Sequence, residues 1–298
     1  MTAAPVTVAM SRPPDSIARV AARWVASRLP WIYVGLVVLY LVIPIAVIAM
    51  FSFNDPVSKS NLVWHGFTLK YWLNPLGVPG LAEALGVSLR VAFASTIIAT
   101  ALGTLIALAL VRYEFRGRSA TNLLIFLPMS TPEVVLGASL LTLFISTTKL
   151  PFLPDGLLYP LSIRTIFIAH VMFNISYVVV TVKARLQGFP RHLEEAAMDL
   201  GATEWVTFWK VTFPLILPGV VAAGLLAFSL SIDDYVITSF TSGPALTFPI
   251  YIYGAQQRGI PVQVNVIGTI IFVSAVLLVL LTTLWQRRVA ARDYGAGV

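Results

Sequence analysis

Residues 186–219 read LQGFPRHLEEAAMDLGATEWVTFWKVTFPLILPG, a charged and aromatic stretch set between two apolar runs. Phe189-Pro190 closes the helix before it, because the residue ahead of a proline is pushed out of the α region and proline suits the first turn of a new helix. Between His192 and Leu200, the residues Leu193, Ala196, Ala197 and Leu200 recur at i, i+3, i+4 and i+7, the spacing of one helical face. Glu194, Glu195 and Asp199 fall off that stripe and are expected as exposed carboxylates. Gly201 then stops the helix, since a left-handed residue after the last turn costs least as glycine. Thr203 is placed to cap a second short helix carrying Trp205, Phe208, Trp209 and Val211, and Pro214 opens the next apolar run. A helix–glycine–helix hairpin of this kind fits the groove of a soluble partner, with Ala196 and Ala197 small enough for close approach and Glu195 placed to meet a basic rim. It fits equally well as a solvated amphipathic hairpin lying on a membrane.

The membrane comes from composition. The chain of 298 residues is 58% hydrophobic and 11% charged, with a mean hydropathy of +0.86, roughly half the charge of a soluble domain. Six runs approach the roughly 20 apolar residues that a bilayer core demands: 31–51, 91–111, 123–144, 165–182, 214–232 and 264–284. The predicted fold is therefore an all-α membrane protein with six transmembrane helices. Pro128 and Pro132 lie in the third run, where backbone irregularity is expected, and Pro218 interrupts the start of the fifth.

Lysine and arginine set the orientation. With the N-terminus in the cytoplasm, the inner segments hold Arg12, Arg19, Arg23, Arg28, Arg112, Arg116, Arg118, Lys183, Arg185, Arg191, Lys210, Arg287, Arg288 and Arg292; the outer ones hold Lys59, Lys70, Arg90, Lys149, Arg164 and Arg258. Fourteen against six places both termini in the cytoplasm. The net charge of +7 thus reflects topology and carries no nucleic-acid footprint. Residues 1–30 hold four arginines and no apolar core, unlike a cleavable signal peptide. Ile17, Val20, Ala21, Trp24 and Val25 recur at helical spacing, so this cytoplasmic segment is expected to form a short amphipathic helix on the membrane surface; a disordered basic tail is the other reading for residues 1–14. The six-helix transmembrane domain then covers 31–286, with a cytoplasmic loop at 184–213, and 287–298 form a cytoplasmic tail. Outside, 54–90 carry Trp64, Phe67, Tyr71 and Trp72 and are expected to pack as a cap, while 147–162 form a second connection.

The run Glu195-Ala196-Ala197, three residues, Gly201, nine residues, Val211-Thr212-Phe213-Pro214 resembles the EAA loop of ABC-importer permeases: Glu-Ala-Ala, three residues, Gly, nine residues, Ile-x-Leu-Pro. Val211 and Phe213 replace the usual Ile and Leu and leave the spacing intact. The resemblance implies a type I ABC-importer permease fold. It also implies that the loop is a coupling helix inserted into a nucleotide-binding subunit, with Glu195 and Gly201 in the leading roles beside Ala196, Ala197, Val211 and Pro214. The partners implied are a second permease chain, two ATP-binding subunits that hold ATP and Mg, and an extracytoplasmic binding protein, in the bacterial inner membrane. No cofactor is expected on this chain. Consistent with that, the sequence has no GxxxxGK[ST] loop, no GxGxxG, no HExxH and no cysteine, so neither catalytic nor metal-ligating residues are assigned.

Several other runs are similar to the second permease subunit of spermidine/putrescine importers, over most of 33–286: Phe53-Asn54, 112–118 (RYEFRGR), 130–133 (STPE), 180–188 (VTVKARLQG), 228–235 (FSLSIDDY) and 241–244 (TSGP). Permeases for ferric iron, thiamine, phosphonates and sugars share the EAA loop, so these solutes stay open, as does, further off, an ion-coupled secondary transporter. Acidic groups at membrane depth are expensive and mark pathways or partners. Glu133 in the third run, and Asp233, Asp234 and Tyr235 at the end of the fifth, are the candidate substrate-pathway residues. Carboxylates beside an aromatic ring suit a flexible polycation; interfacial anchoring and pairing with a partner chain are the alternatives. His170 and Asn174, one turn apart, are read as interhelical hydrogen-bonding groups. Ala223 and Ala227 give a small-residue face for packing against a partner chain or within this one.

Overall fold

The computed structural model describes residues 17–147 and 158–295. The elements are α1 (Ile17–Phe51), α2 (Lys70–Leu73), α3 (Leu81–Arg112), α4 (Arg118–Ser130), α5 (Glu133–Ser146), α6 (Ile163–Gln187), α7 (His192–Asp199), α8 (Glu204–Thr207), a π-helical turn (Phe208–Thr212), α9 (Phe213–Ile232), α10 (Val236–Thr241), α11 (Phe248–Arg258) and α12 (Val262–Gly295). No strand occurs among the described residues, only an isolated bridge between Asn54 and Phe67. Five helices are long and apolar enough to cross a bilayer, and α4 with α5, taken as one broken span, make six.

The break in the third span is sharp: α4 and α5 meet at 110°. Thr131 precedes Pro132 and is forced into an extended conformation (φ −82°, ψ 132°). Pro132 is extended in ψ as well (133°), and Glu133 opens the new helix. The span expected over 123–144, with backbone irregularity at its prolines, is thus two helices with a corner between them at Thr131-Pro132.

Other boundaries also shift. The short amphipathic helix expected before residue 31 is instead continuous with the first span, in one helix of 35 residues containing Pro30 and Pro44. Residues 1–16 lie outside the described chain, as do 148–157 of the second outer connection and 296–298. α3 begins at Leu81, within the segment expected as outer loop, and α12 continues through the expected tail to Gly295.

The chain divides into two compact units. The larger covers 58–62 and 74–263. Its centre is α3, α6 and α9, whose facing side chains (Ala107, Leu110, Val178, Val182, Ile216, Ala223, Ala227) form one buried cluster. Ala223 and Ala227 are fully buried there, so their small-residue face packs within this chain. Gly103 lets α3 and α6 close up, because a Cβ at that position would lie 2.6 Å from Val178 Cγ1. A second buried cluster joins Leu136, Leu140 and Phe144 of α5 to Ala169 and Phe173 of α6 and Ile237 of α10.

The smaller unit holds 1–57, 63–73 and 264–298. Here the expected cap is ordered by Asn54, which is fully buried. Its side-chain nitrogen donates to Val63 O (2.7 Å), and its side-chain oxygen accepts from His65 N (2.8 Å). Phe53 stacks on Phe67 and on Trp72, with ring centroids 5.4 and 5.1 Å apart. No side chain of α1 between 27 and 50 is buried.

Candidate functional site

Glu133, Asp233, Asp234 and Tyr235, four residues spread over 102 positions in sequence, line one cavity of about 300 Å³. The corner between α4 and α5 contributes Pro128, Thr131 and Glu133, α6 contributes Phe173 and Tyr177, and the end of α9 contributes Leu230 and the two aspartates. Glu133 is exposed at the first turn of α5, where the unpaired N–H groups and the helix dipole favour a carboxylate. Tyr235 lies against Tyr253 of α11, with ring centroids 4.6 Å apart at 30°. Tyr177 and Tyr253 had no mark in the sequence, since neither sits beside a charge or in a motif.

The two aspartates differ. Asp233 is exposed to the cavity. Asp234 is enclosed: its carboxylate accepts from Thr238 N (2.7 Å), from Thr238 Oγ1 (2.6 Å) and from Ile237 N (3.3 Å), and His170 Nε2 stands 3.4 Å away. It thereby satisfies the free N–H groups at the start of α10. His170 is buried and reaches Ser231 Oγ through Nδ1 (2.5 Å) and Thr238 Oγ1 through Nε2 (2.9 Å), while Ser231 meets Ser95 of α3 (3.1 Å). This chain ties α3, α6, α9 and α10 together, as the interhelical reading of His170 expected. Asn174 is also buried, but both its amide atoms lack hydrogen-bond partners among the described residues.

The second candidate surface is the hairpin of α7 and α8. Gly201 takes a positive φ of 87°, and the helix end is closed by Gly201 N to Met198 O (2.9 Å) and Ala202 N to Ala197 O (3.1 Å). Thr203 Oγ1 caps α8 by accepting from Val206 N (3.4 Å). Leu193, Leu200 and Trp205 are exposed, Leu200 to 90%, and Glu195 and Ala196 are exposed with them. Val211 lies half-buried in the π-helical turn, and Pro214 stands exposed at the start of α9. A cleft of about 760 Å³ runs between the hairpin and the end of α3.

Glu194 departs from expectation. It is buried, and its carboxylate accepts from Arg112 on the last turn of α3 and from Thr212 Oγ1 in the π-helical turn. Burial pushes its carboxyl up, but the hydrogen bonds from Arg112 and Thr212 and the charges of Arg112 and Arg191 outweigh that and hold it below the ordinary value of 4.5. The signal lay in helix phase: Glu194 stands about 100° around α7 from Leu193, and its side is buried while Leu193, Ala196 and Leu200 are exposed.

Residues 99–292 match the family described as the binding-protein-dependent transport system inner membrane component. The chain is 38% identical over 250 residues to the putrescine transport system permease protein PotI of Escherichia coli K12, covering 82% of this chain and 86% of that protein. It is 36% identical over 249 residues to the spermidine/putrescine transport system permease protein PotC of the same strain, covering 83% and 90%, and 37% identical to PotC of Haemophilus influenzae over 84% and 93%. Its fold matches a chain of a bacterial alginate ABC transporter with a TM-score of 0.65 at 14% identity, covering 90% of this chain and 98% of that one. With five helices long and apolar enough to cross a bilayer, or six with α4 and α5 taken as one broken span, the type I ABC-importer permease fold and relatives over most of its length, the chain belongs to the family of binding-protein-dependent transport system inner membrane components.

Proposed function

We propose that the chain is the membrane-spanning permease subunit of an ATP-binding cassette importer that carries putrescine or spermidine across the bacterial inner membrane. The observation that carries this reading is the convergence of Glu133, Asp233, Asp234 and Tyr235 on one cavity at a broken span. A linear polyamine presents ammonium groups joined by methylene stretches. Glu133 and Asp233 would pair with the ammonium groups, the Tyr235–Tyr253 ring pair would add cation–π attraction, and Leu136, Phe173 and Leu230 would pack against the methylenes. Asp234 would hold the mouth of the cavity in shape through α10 instead of binding the cargo.

Both termini lie in the cytoplasm in this reading, on the lysine and arginine distribution. The hairpin then faces the cytoplasm, where Glu195, Ala196, Ala197, Gly201, Val211 and Pro214 would couple the chain to an ATP-binding subunit. That subunit would hold ATP and Mg and perform the hydrolysis, leaving this chain non-catalytic. A second permease chain, two ATP-binding subunits and an extracytoplasmic binding protein would complete the assembly. α9 spans from Pro214 at the hairpin to Ile232 beside the carboxylates, a rod of about 30 Å at 1.5 Å per residue, so displacement at one end would reach the other.

Uptake of labelled putrescine, spermidine and a sugar by the complete transporter tests the proposal. Polyamine uptake that drops about tenfold or more in Glu133→Gln and Asp233→Asn, with assembly unchanged, is the expected result. Sugar uptake without polyamine uptake would overturn the substrate assignment.

A further inference from the structure

The arginine-rich end of α3 is held by three separate polar contacts, and two of them come from the hairpin. Arg191, just before α7, donates to Val111 O (3.2 Å), and Arg118, at the start of α4, donates to Leu110 O (3.0 Å). Both carbonyls belong to the last turn of α3, whose terminal C=O groups have no partner inside the helix, so cationic donors there satisfy them and complement the helix dipole. The third contact is Arg112 to Glu194, whose carboxylate also accepts from Thr212 in the π-helical turn. Glu194 therefore joins three elements: α7, the end of α3 and the segment that leads into α9. Among the buried residues of the hairpin helices α7 and α8, it is the only one that is charged.

A buried carboxylate has no reason to persist on a solvent-exposed hairpin unless its partners hold it, since removing one partner strands the other charge. The exposed Leu193, Ala196 and Leu200 lie on a different side of α7, open to a partner that docks there. A push on that side would turn α7 about its own axis or slide it along the bundle unless a contact on the inner side resisted. The π-helical turn supports the same reading: π turns insert an extra residue locally, and here the insertion places the Thr212 hydroxyl on Glu194.

We infer that Glu194 is a positioning residue which, with Arg112 and Thr212, locks the hairpin to α3 and α9 so that all three move as one piece when the hairpin is displaced. This rests on the coupling reading of the hairpin given above. It assigns Glu194 a task distinct from that of Glu195: Glu195 faces the partner, and Glu194 faces the bundle and transmits.

The test uses the complete transporter, with its partner permease, ATP-binding subunits and binding protein, in proteoliposomes. Putrescine uptake and ATP hydrolysis are measured together, and copurification of the ATP-binding subunits is followed in parallel. Glu194→Gln is expected to keep the subunits bound and ATP hydrolysis within about twofold, while uptake per ATP falls about tenfold. Arg112→Lys, which keeps the charge, is expected to retain most of that ratio, and Thr212→Val to lose an intermediate share. A merely structural role would lower uptake and hydrolysis together and leave their ratio unchanged; that result, or unchanged uptake in Glu194→Gln, overturns the inference. Loss of the assembled complex in both Glu194→Gln and Arg112→Lys would also overturn it, marking the pair as a folding element only. Gly201→Ala and Glu195→Gln serve as controls for the coupling reading itself. If they leave assembly and ATP hydrolysis untouched, that reading fails; if they disturb either while Glu194→Gln preserves uptake per ATP, only the role of Glu194 fails.

Discussion

His170 is buried with both ring nitrogens occupied, one by Ser231 and the other by Thr238. Replacing it by alanine leaves these hydroxyls and Asp234 without their shared partner, and each stranded buried group costs about 1–3 kcal/mol. His170→Ala is therefore expected to lower the thermal midpoint of the purified protein in detergent, and a double-mutant cycle with Thr238→Val is expected to be non-additive. Asn54 makes the corresponding case in the smaller unit. Asn54→Asp keeps the acceptor for His65 N but removes the donor to Val63 O, and is expected to cost about 1–3 kcal/mol, read as faster proteolysis of residues 55–68. Glu194 carries a pH signature. Its carboxyl lies below 4.5 in the folded chain, so the stability it contributes is complete above the ordinary glutamate range and is lost as pH falls below that value toward the folded one. The stability of Glu194→Gln is therefore expected to fall less steeply than that of the parent as pH drops below 4.5, which denaturant unfolding followed as a function of pH checks directly.

The corner between α4 and α5 and the turn at Gly201 are elements whose shape follows from single residues. Pro132 and its effect on Thr131 set the 110° bend. Pro132→Ala restores a backbone N–H and relieves Thr131, so the segment is expected to straighten in part and move Glu133 away from Asp233; loss of polyamine uptake with ATP hydrolysis retained is the readout. Gly201 sits at φ 87° with open space where a Cβ would stand. Alanine there meets no clash but pays the left-handed cost of about 1–2 kcal/mol, so Gly201→Ala is expected to loosen the hairpin and reduce retention of the ATP-binding subunits without unfolding the spans. Both expectations separate geometry from chemistry, since neither variant changes a charge.

For the whole molecule, hydropathy and charge already divided the chain into six crossings, a long polar loop and a charge asymmetry. They did so because each of these is a local property: a span needs about 20 apolar residues in a row, and a hairpin announces itself through periodicity, glycine and a capping threonine. Glu133 and Asp233 were legible as candidates for the same reason, being costly residue types in or at the end of apolar runs, and Tyr235 as the aromatic ring beside them. What no run of neighbours could specify was convergence. Glu194 and Arg112 are 82 positions apart, His170 and Thr238 are 68 apart, and the cavity joins the corner at Pro132 to the end of α9. The two adjacent aspartates look equivalent in the chain, and only the packing of α6 and α10 around the second makes one a helix-capping group and leaves the other facing the cavity. Glu194 and Glu195 divide in the same way. Successive side chains on a helix point about 100° apart, and the bundle's position relative to α7 chooses which carboxylate is buried. Local sequence thus set the elements and the residue types available for function. The long-range packing of helices set the role of each carboxylate, because burial and partnering depend on neighbours that the chain brings together only when folded.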